Sequence, residues 1–157
     1  KHIKEKVHFA GKETEIIPTS QLDLDEVYYQ KTKVDIPPAP GGKTTLKPLG
    51  LVFGARSGDK GGCANLGLWA KTSKAYSFLS EFLTTSKLKE LLPDLNEFEI
   101  DRYELPNILS LNFYIHGILE DGVSSNSRKD GQAKSLGEYI RAKKVKMPIE
   151  IMEDQVE

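Results

Sequence analysis

Residues 109–116, LSLNFYIH, constrain the fold more than any other stretch of the chain. Leu109, Leu111, Phe113 and Ile115 alternate with Ser110, Asn112, Tyr114 and His116. An extended strand sends these two sets to opposite faces, whereas a helix would mix them. The surrounding apolar run predicts a long strand over residues 108–119. A strand with one apolar and one polar face belongs in an antiparallel sheet that is covered on a single side.

Three further segments fit such a sheet. Residues 49–56 (LGLVFGAR) are β-prone and apolar, residues 64–70 (ANLGLWA) alternate and return antiparallel to them, and residues 97–104 (EFEIDRYE) alternate again. The period changes between the second and third of these. Ala75, Phe78, Leu79, Phe82 and Leu83 recur at helical spacing, with Thr72 or Ser73 as cap, and Leu88, Leu91 and Leu92 begin a second short helix that stops before Pro93. A last helix is expected over residues 129–143, with Ala133, Leu136, Gly137 and Ile140 as its inner stripe. The order ββααββα, with helices gathered on one face, predicts an α+β two-layer sandwich around a four-stranded antiparallel sheet.

Residues 1–48 are sparser in apolar residues. They read as an extension: a hairpin about Gly11, one helical turn capped by Ser20, and a Pro/Gly-rich linker or strap ending in DIPPAPGGKTTLKP. Residues 49–142 form the expected domain. Residues 143–157 are a tail with a candidate edge strand at 149–152.

Composition removes several function classes. The chain of 157 residues carries 22 Lys plus Arg against 23 Asp plus Glu, which argues against nucleic acid as a partner. Cys63 is the single cysteine, so a disulfide framework and a cysteine zinc site are excluded, and a reducing, cytoplasmic setting is expected. No run approaches the length of a membrane span. His2 and His8 lie far in sequence from His116, and no HxxxH or clustered carboxylates occur, so neither a metal nor a cofactor is expected.

Strand parity places Leu49, Leu51, Phe53 and Ala55 on the helix side with Ala64, Leu66 and Leu68. It leaves Arg56, Asn65, Trp69, Asn112, Tyr114 and His116 together on the other face. That face reads as plain solvated sheet, as a dimer surface rich in Trp, Tyr and Arg, or as a surface with a pocket at its edge. The segment GARSGDKGGCANLG suits an anion, since several glycines let backbone N–H groups converge beside Arg56 and Lys60. It is read as a polar loop in which Asp59 orders the backbone. It lacks the spacing of a P-loop or of GxGxxG. His116 acting as base for Ser57 or Cys63 would require proximity that sequence does not supply. Arg128 and Asp130 read as anion contact and cap, or as surface charge and cap.

The motifs RSGDKG, its AN-x-G continuation, RYELP, LNF-x-x-H and the region of Gln132 together resemble the C-terminal ferredoxin-fold domain of the acyclic terpene utilisation protein AtuA family, over residues 49–142. The resemblance implies a stand-alone or excised form of that domain and a setting in terpene breakdown through acyl-CoA intermediates, with no assigned reaction. Its motif residues here are Arg56, Ser57, Gly58, Asp59, Lys60, Gly61, Asn65, Arg102, Tyr103, Glu104, Leu105, Pro106, Asn112 and His116.

The resulting expectation is a small ligand-binding or accessory domain that takes an anionic acyl-CoA or carboxylate. Arg56 and Lys60 would hold the anion, with Ser57, Gly58, Asp59 and Gly61 forming the loop. Asn65, Asn112 and His116 would orient the polar end. The expected partner is a second copy or a larger enzyme. The alternative is a non-catalytic module that docks on a larger enzyme domain.

Overall fold

A computed structural model describes residues 5–16 and 34–153. The chain divides into two units between Lys33 and Val34. In the first, strands β1 (Glu5–Phe9) and β2 (Lys12–Ile16) form the hairpin expected about Gly11. Ala10 and Gly11 both have positive φ, at 50° and 75°, the geometry that tight two-residue hairpins favour. The helical turn expected at Ser20 lies outside the described residues.

The second unit runs β3 (Thr44–Pro48), β4 (Gly54–Lys60), β5 (Cys63–Trp69), α1 (Ser73–Phe82), α2 (Thr85–Leu91), β6 (Ile100–Leu105), β7 (Ser110–Ile115), α3 (Leu136–Ala142), β8 (Lys144–Pro148) and α4 (Glu150–Glu153). Four strands pair antiparallel in the order β4-β5-β7-β6. One face of this sheet is apolar: Ala64, Leu66 and Leu68 of β5 and Leu111, Phe113 and Ile115 of β7 are each 0% exposed. They share one core with Ala75, Tyr76 and Leu79 of α1, Leu88 of α2 and Leu136 and Ile140 of α3. Thr72 is the α1 cap, its Oγ1 accepting from the Ala75 N–H at 3.2 Å, and Thr84 caps α2 in the same way.

Several expected boundaries move, each for a local reason. Residues 49–51 are a 3-10 turn and not strand, with Val52 and Phe53 buried and Leu51 56% exposed. A continuous apolar run carries no period to separate the two states. The polar loop expected after Arg56 is instead the body of β4, and only Gly61 and Gly62 turn, with Gly61 at φ 63°. The long fourth strand is limited to Ser110–Ile115, because Leu109 is left-handed at φ 50° and residues 116–121 turn away.

The last helix starts at Leu136, not at 129. The Asp130 carboxylate accepts from the Lys134 and Ser135 N–H groups at 2.9 Å each, and Asn126 Nδ2 donates to the Gly122 and Gly131 carbonyls. Such side-chain bonds compete with helix. The tail makes a helical turn at Glu150–Glu153 where an edge strand was expected. The strand lies just before it, where β8 pairs with β3. The Pro-rich stretch behaves as a strap, since the Ser77 hydroxyl of α1 donates to the Pro37 carbonyl at 2.5 Å.

Candidate functional site

The ladder fixes which side chains share the uncovered face. Across it, Gly54, Trp69, Ser110 and Leu105 make one rung; Arg56, Gly67, Asn112 and Tyr103 the next; Gly58, Asn65, Tyr114 and Asp101 the third. Lys60 and Cys63 extend the β4–β5 end of the face. The ladder thus places Arg56, Asn65, Trp69, Asn112 and Tyr114 on one side, while His116 lies in the turn beyond β7 and reaches this face through Asp101 and Tyr114.

A chain of contacts runs over this face. Asn65 Nδ2 donates to Asn112 Oδ1 at 3.4 Å, and His116 Nε2 lies 2.8 Å from Asp101 Oδ2. The Tyr103 hydroxyl donates to the same Asp101 oxygen at 3.4 Å. The Tyr114 and His116 rings meet edge-on at 4.9 Å. A hydrogen bond with the Cys63 thiol is the main cause that raises the Tyr114 pKa above its ordinary 10.0. These contacts order a polar and aromatic surface.

The residues expected to hold an anion divide between two faces. Arg56, Gly58 and Lys60 lie on the open side, but Ser57 and Asp59 pair with Leu66 and Ala64 and so belong to the helix side. Lys60 lies four positions beyond Arg56, about 13 Å along the strand. Lys60 Nζ donates to the Asp59 carbonyl at 2.9 Å.

Ser57 instead joins β4 to α3: its hydroxyl donates to the Lys134 carbonyl at 3.1 Å and accepts from the Gly137 N–H at 2.9 Å. Gly137 lies close against β4, where a Cβ would sit at van der Waals contact, 3.4 Å from the Arg56 and Ser57 backbone. Gly62 is a second close approach, where a Cβ would lie 2.1 Å from the Glu120 carbonyl oxygen. In RYELP, Arg102 reaches the carbonyl end of α1, donating to the Ser80 and Leu83 carbonyls at 2.7 and 3.1 Å and to Glu104 at 2.6 Å. The Arg102 hydrogen bond is the main cause that holds the Glu104 carboxyl below its ordinary 4.5. Much of the motif content is thus explained by packing.

Three of the clefts that border the second unit are lined by none of Ser57, Asp59, Asn65, Asn112 and His116. The largest of these, about 550 Å³, lies at the Trp69 end of the sheet, between residues 50–54, Lys71, Arg141 and Met152. Another is lined by Arg128 and Asp130 together with Tyr139. Sequence reading missed Lys71 and Arg141, which lie far apart in the chain. It also missed Asp101, whose place on the open face follows from extending the parity argument to β6. Among the described residues no group of His, Cys, Asp and Glu is arranged to hold a metal ion, and no helix is long and apolar enough to cross a membrane.

No curated protein and no solved structure matches the chain. The sequence model of the AtuA ferredoxin-like domain matches residues 48–146, well over half of the chain, and that span runs from the end of β3 through the whole four-stranded sheet into β8. With mixed helices and antiparallel strands occupying this span, the chain belongs to the AtuA ferredoxin-like domain family.

Proposed function

We propose that the open sheet face pairs with the same face of a second copy, making this domain a symmetric assembly module. In this reading it is a two-layer ββααββα sandwich whose helices leave one face for association. The observation that carries it is the distribution of size and charge over that face. The β4–β5 half is basic, with Gly54, Gly58 and Gly67 beside Arg56, Lys60, Asn65 and Trp69. The β6–β7 half carries Tyr103, Leu105 and Tyr114 with Ser110, Asn112 and one carboxylate, Asp101. A two-fold axis parallel to the strands, running between β5 and β7, exchanges the halves rung by rung.

Trp69, whose ring covers Gly54, then meets Ser110 and Leu105 of the other copy, Gly58 meets Asp101, Asn65 meets Tyr114, and Arg56 lies over the Tyr103 ring. Small opposes larger at Trp69–Ser110 and Gly58–Asp101, and the Arg56 cation opposes an aromatic face. Packed sheets are rotated by about 30°, so the match is closest at the centre. Trp69, Tyr103 and Leu105, at 43%, 50% and 41% exposed, supply the apolar anchors that interfaces favour. The terpene or branched-chain acid setting that the resemblance implies would use such a module to hold two enzyme domains together.

Sedimentation equilibrium tests this. The protein is expected at twice its chain mass of 17.5 kDa. Gly58→Arg is expected to give a folded monomer, because nothing lies within 4 Å of a Cβ at that position. A wild-type monomer at every concentration, or a Gly58→Arg dimer, overturns the pairing. A monomer would favour a larger enzyme domain as the occupant of the face.

A further inference from the structure

The cleft at the Trp69 end of the sheet is built differently from the open face beside it. Its lining holds two cations, Lys71 and Arg141, and no acidic residue. Trp69, Leu51 and Met152 add an aromatic ring and aliphatic surface. A volume of about 550 Å³ lies within the range of small-molecule sites, which combine apolar walls with a few placed polar groups.

Two glycines of the wall set its side chains in place. A Cβ at Gly50 would lie 2.9 Å from Arg141 Cβ and 3.0 Å from its Nε, so the arginine stem crosses bare backbone. A Cβ at Gly54 would lie 2.2 Å from the Trp69 ring, so the indole rests on bare backbone as well. The guanidinium also retains unused donors. Its Nε is buried without a hydrogen-bond partner, and its Nη1 meets Glu138 at 3.2 Å, a carboxylate 72% exposed. An exposed pair of this kind is weak and readily exchanged, whereas a planar carboxylate is the natural acceptor for an arginine fork.

We infer that this cleft binds a small carboxylate with a flat apolar body, the carboxylate meeting Arg141 and Lys71 and the body lying between Trp69 and Leu51. The anion chemistry expected of the glycine-rich segment is thereby assigned to an edge of the sheet where two cations share a concave wall. The inference does not rest on the pairing of sheet faces, and because Trp69 takes part in both, the ligand titration is run on the Gly58→Arg chain as well as on the wild type.

Trp69 is the only tryptophan in the chain, so its fluorescence reports directly on the cleft. Titration with sodium phenylacetate is expected to give a saturable change that the neutral isostere phenylacetamide does not. Arg141→Gln and Lys71→Gln are each expected to weaken phenylacetate by about ten-fold, the loss of one charge-assisted contact. Lys71 is exposed, so its variant tests the site even if Arg141→Gln lowers stability. An equal response to the amide, unchanged affinity in Lys71→Gln, or no saturable response to phenylacetate overturns the inference.

Discussion

The two faces of the four-stranded sheet are made by the same strands and behave in opposite ways. On one, Leu66, Leu68, Leu111 and Phe113 are fully buried in a core shared with residues of α1, α2 and α3. On the other, Asn65, Asn112, Tyr114 and His116 alternate with them and stay partly open. The buried face selects the fold, because any slip of one residue would bring every polar side chain into the core. The open face is free of that demand, so the gathering of Arg56 and Lys60 on one half and of Tyr103, Leu105, Tyr114 and Asp101 on the other calls for another explanation.

The contrast is sharpest in paired truncations. Phe113→Ala is expected to cost about 3–5 kcal/mol in denaturant unfolding, while Tyr114→Ala, one residue along, is expected to change the unfolding of the isolated chain by less than about 1 kcal/mol. Equal losses at the two positions would break the comparison. Glycines give a second contrast. Gly62→Ala forces a methyl against the Glu120 carbonyl at 2.1 Å, a cost of about 1–3 kcal/mol in thermal or chemical melts. Gly58→Ala, with open space around its Cβ, should leave the melt unchanged.

Ser57 sharpens the comparison further, since it stands in the motif expected to bind a ligand yet faces the helices. Ser57→Ala removes the bonds to Lys134 and Gly137 and should destabilise by about 1–3 kcal/mol, without altering subunit mass. The smallest effect is electrostatic. The folded-state pKa of Glu104 is lowered chiefly by its Arg102 hydrogen bond, so this stability is present above the ordinary value of 4.5 and is lost as pH falls below it. The Glu104 side chain is 51% exposed, which limits the effect to a few tenths of a kcal/mol. A melting profile taken through acid pH should show that loss in the wild type and a shallower one in Glu104→Gln.

The same contrast governs how much of the molecule is legible in its sequence. β5 and β7 alternate cleanly between buried and open positions, so the shared face of Asn65, Asn112 and Tyr114 follows from the residue pattern alone. β4 does not, because Gly58, Asp59 and Lys60 are poor strand formers, and pairing with β5 overrides their local preference. Once those residues are strand, parity sends Ser57 and Asp59 to the helix side. The start of α3 is hidden by the side-chain bonds of Asp130 and Asn126. Lys71 and Arg141 meet at the cleft only through tertiary packing, with no local pattern to announce them.

The central claim is that the two halves of the open face complement each other across a two-fold axis. Its most direct test is a pair of charge-reversed chains. One carries Arg56→Glu with Lys60→Glu. The other carries Asp101→Lys with Glu99→Lys, Glu99 extending the ladder beside β6 through its carbonyl, which accepts from the His116 N–H at 3.0 Å. Each chain alone opposes like charges and should sediment as a monomer, while an equimolar mixture should sediment at twice the chain mass, because every reversed edge then meets its complement. Dimers of either chain alone, or a mixture that remains monomeric, would contradict the account.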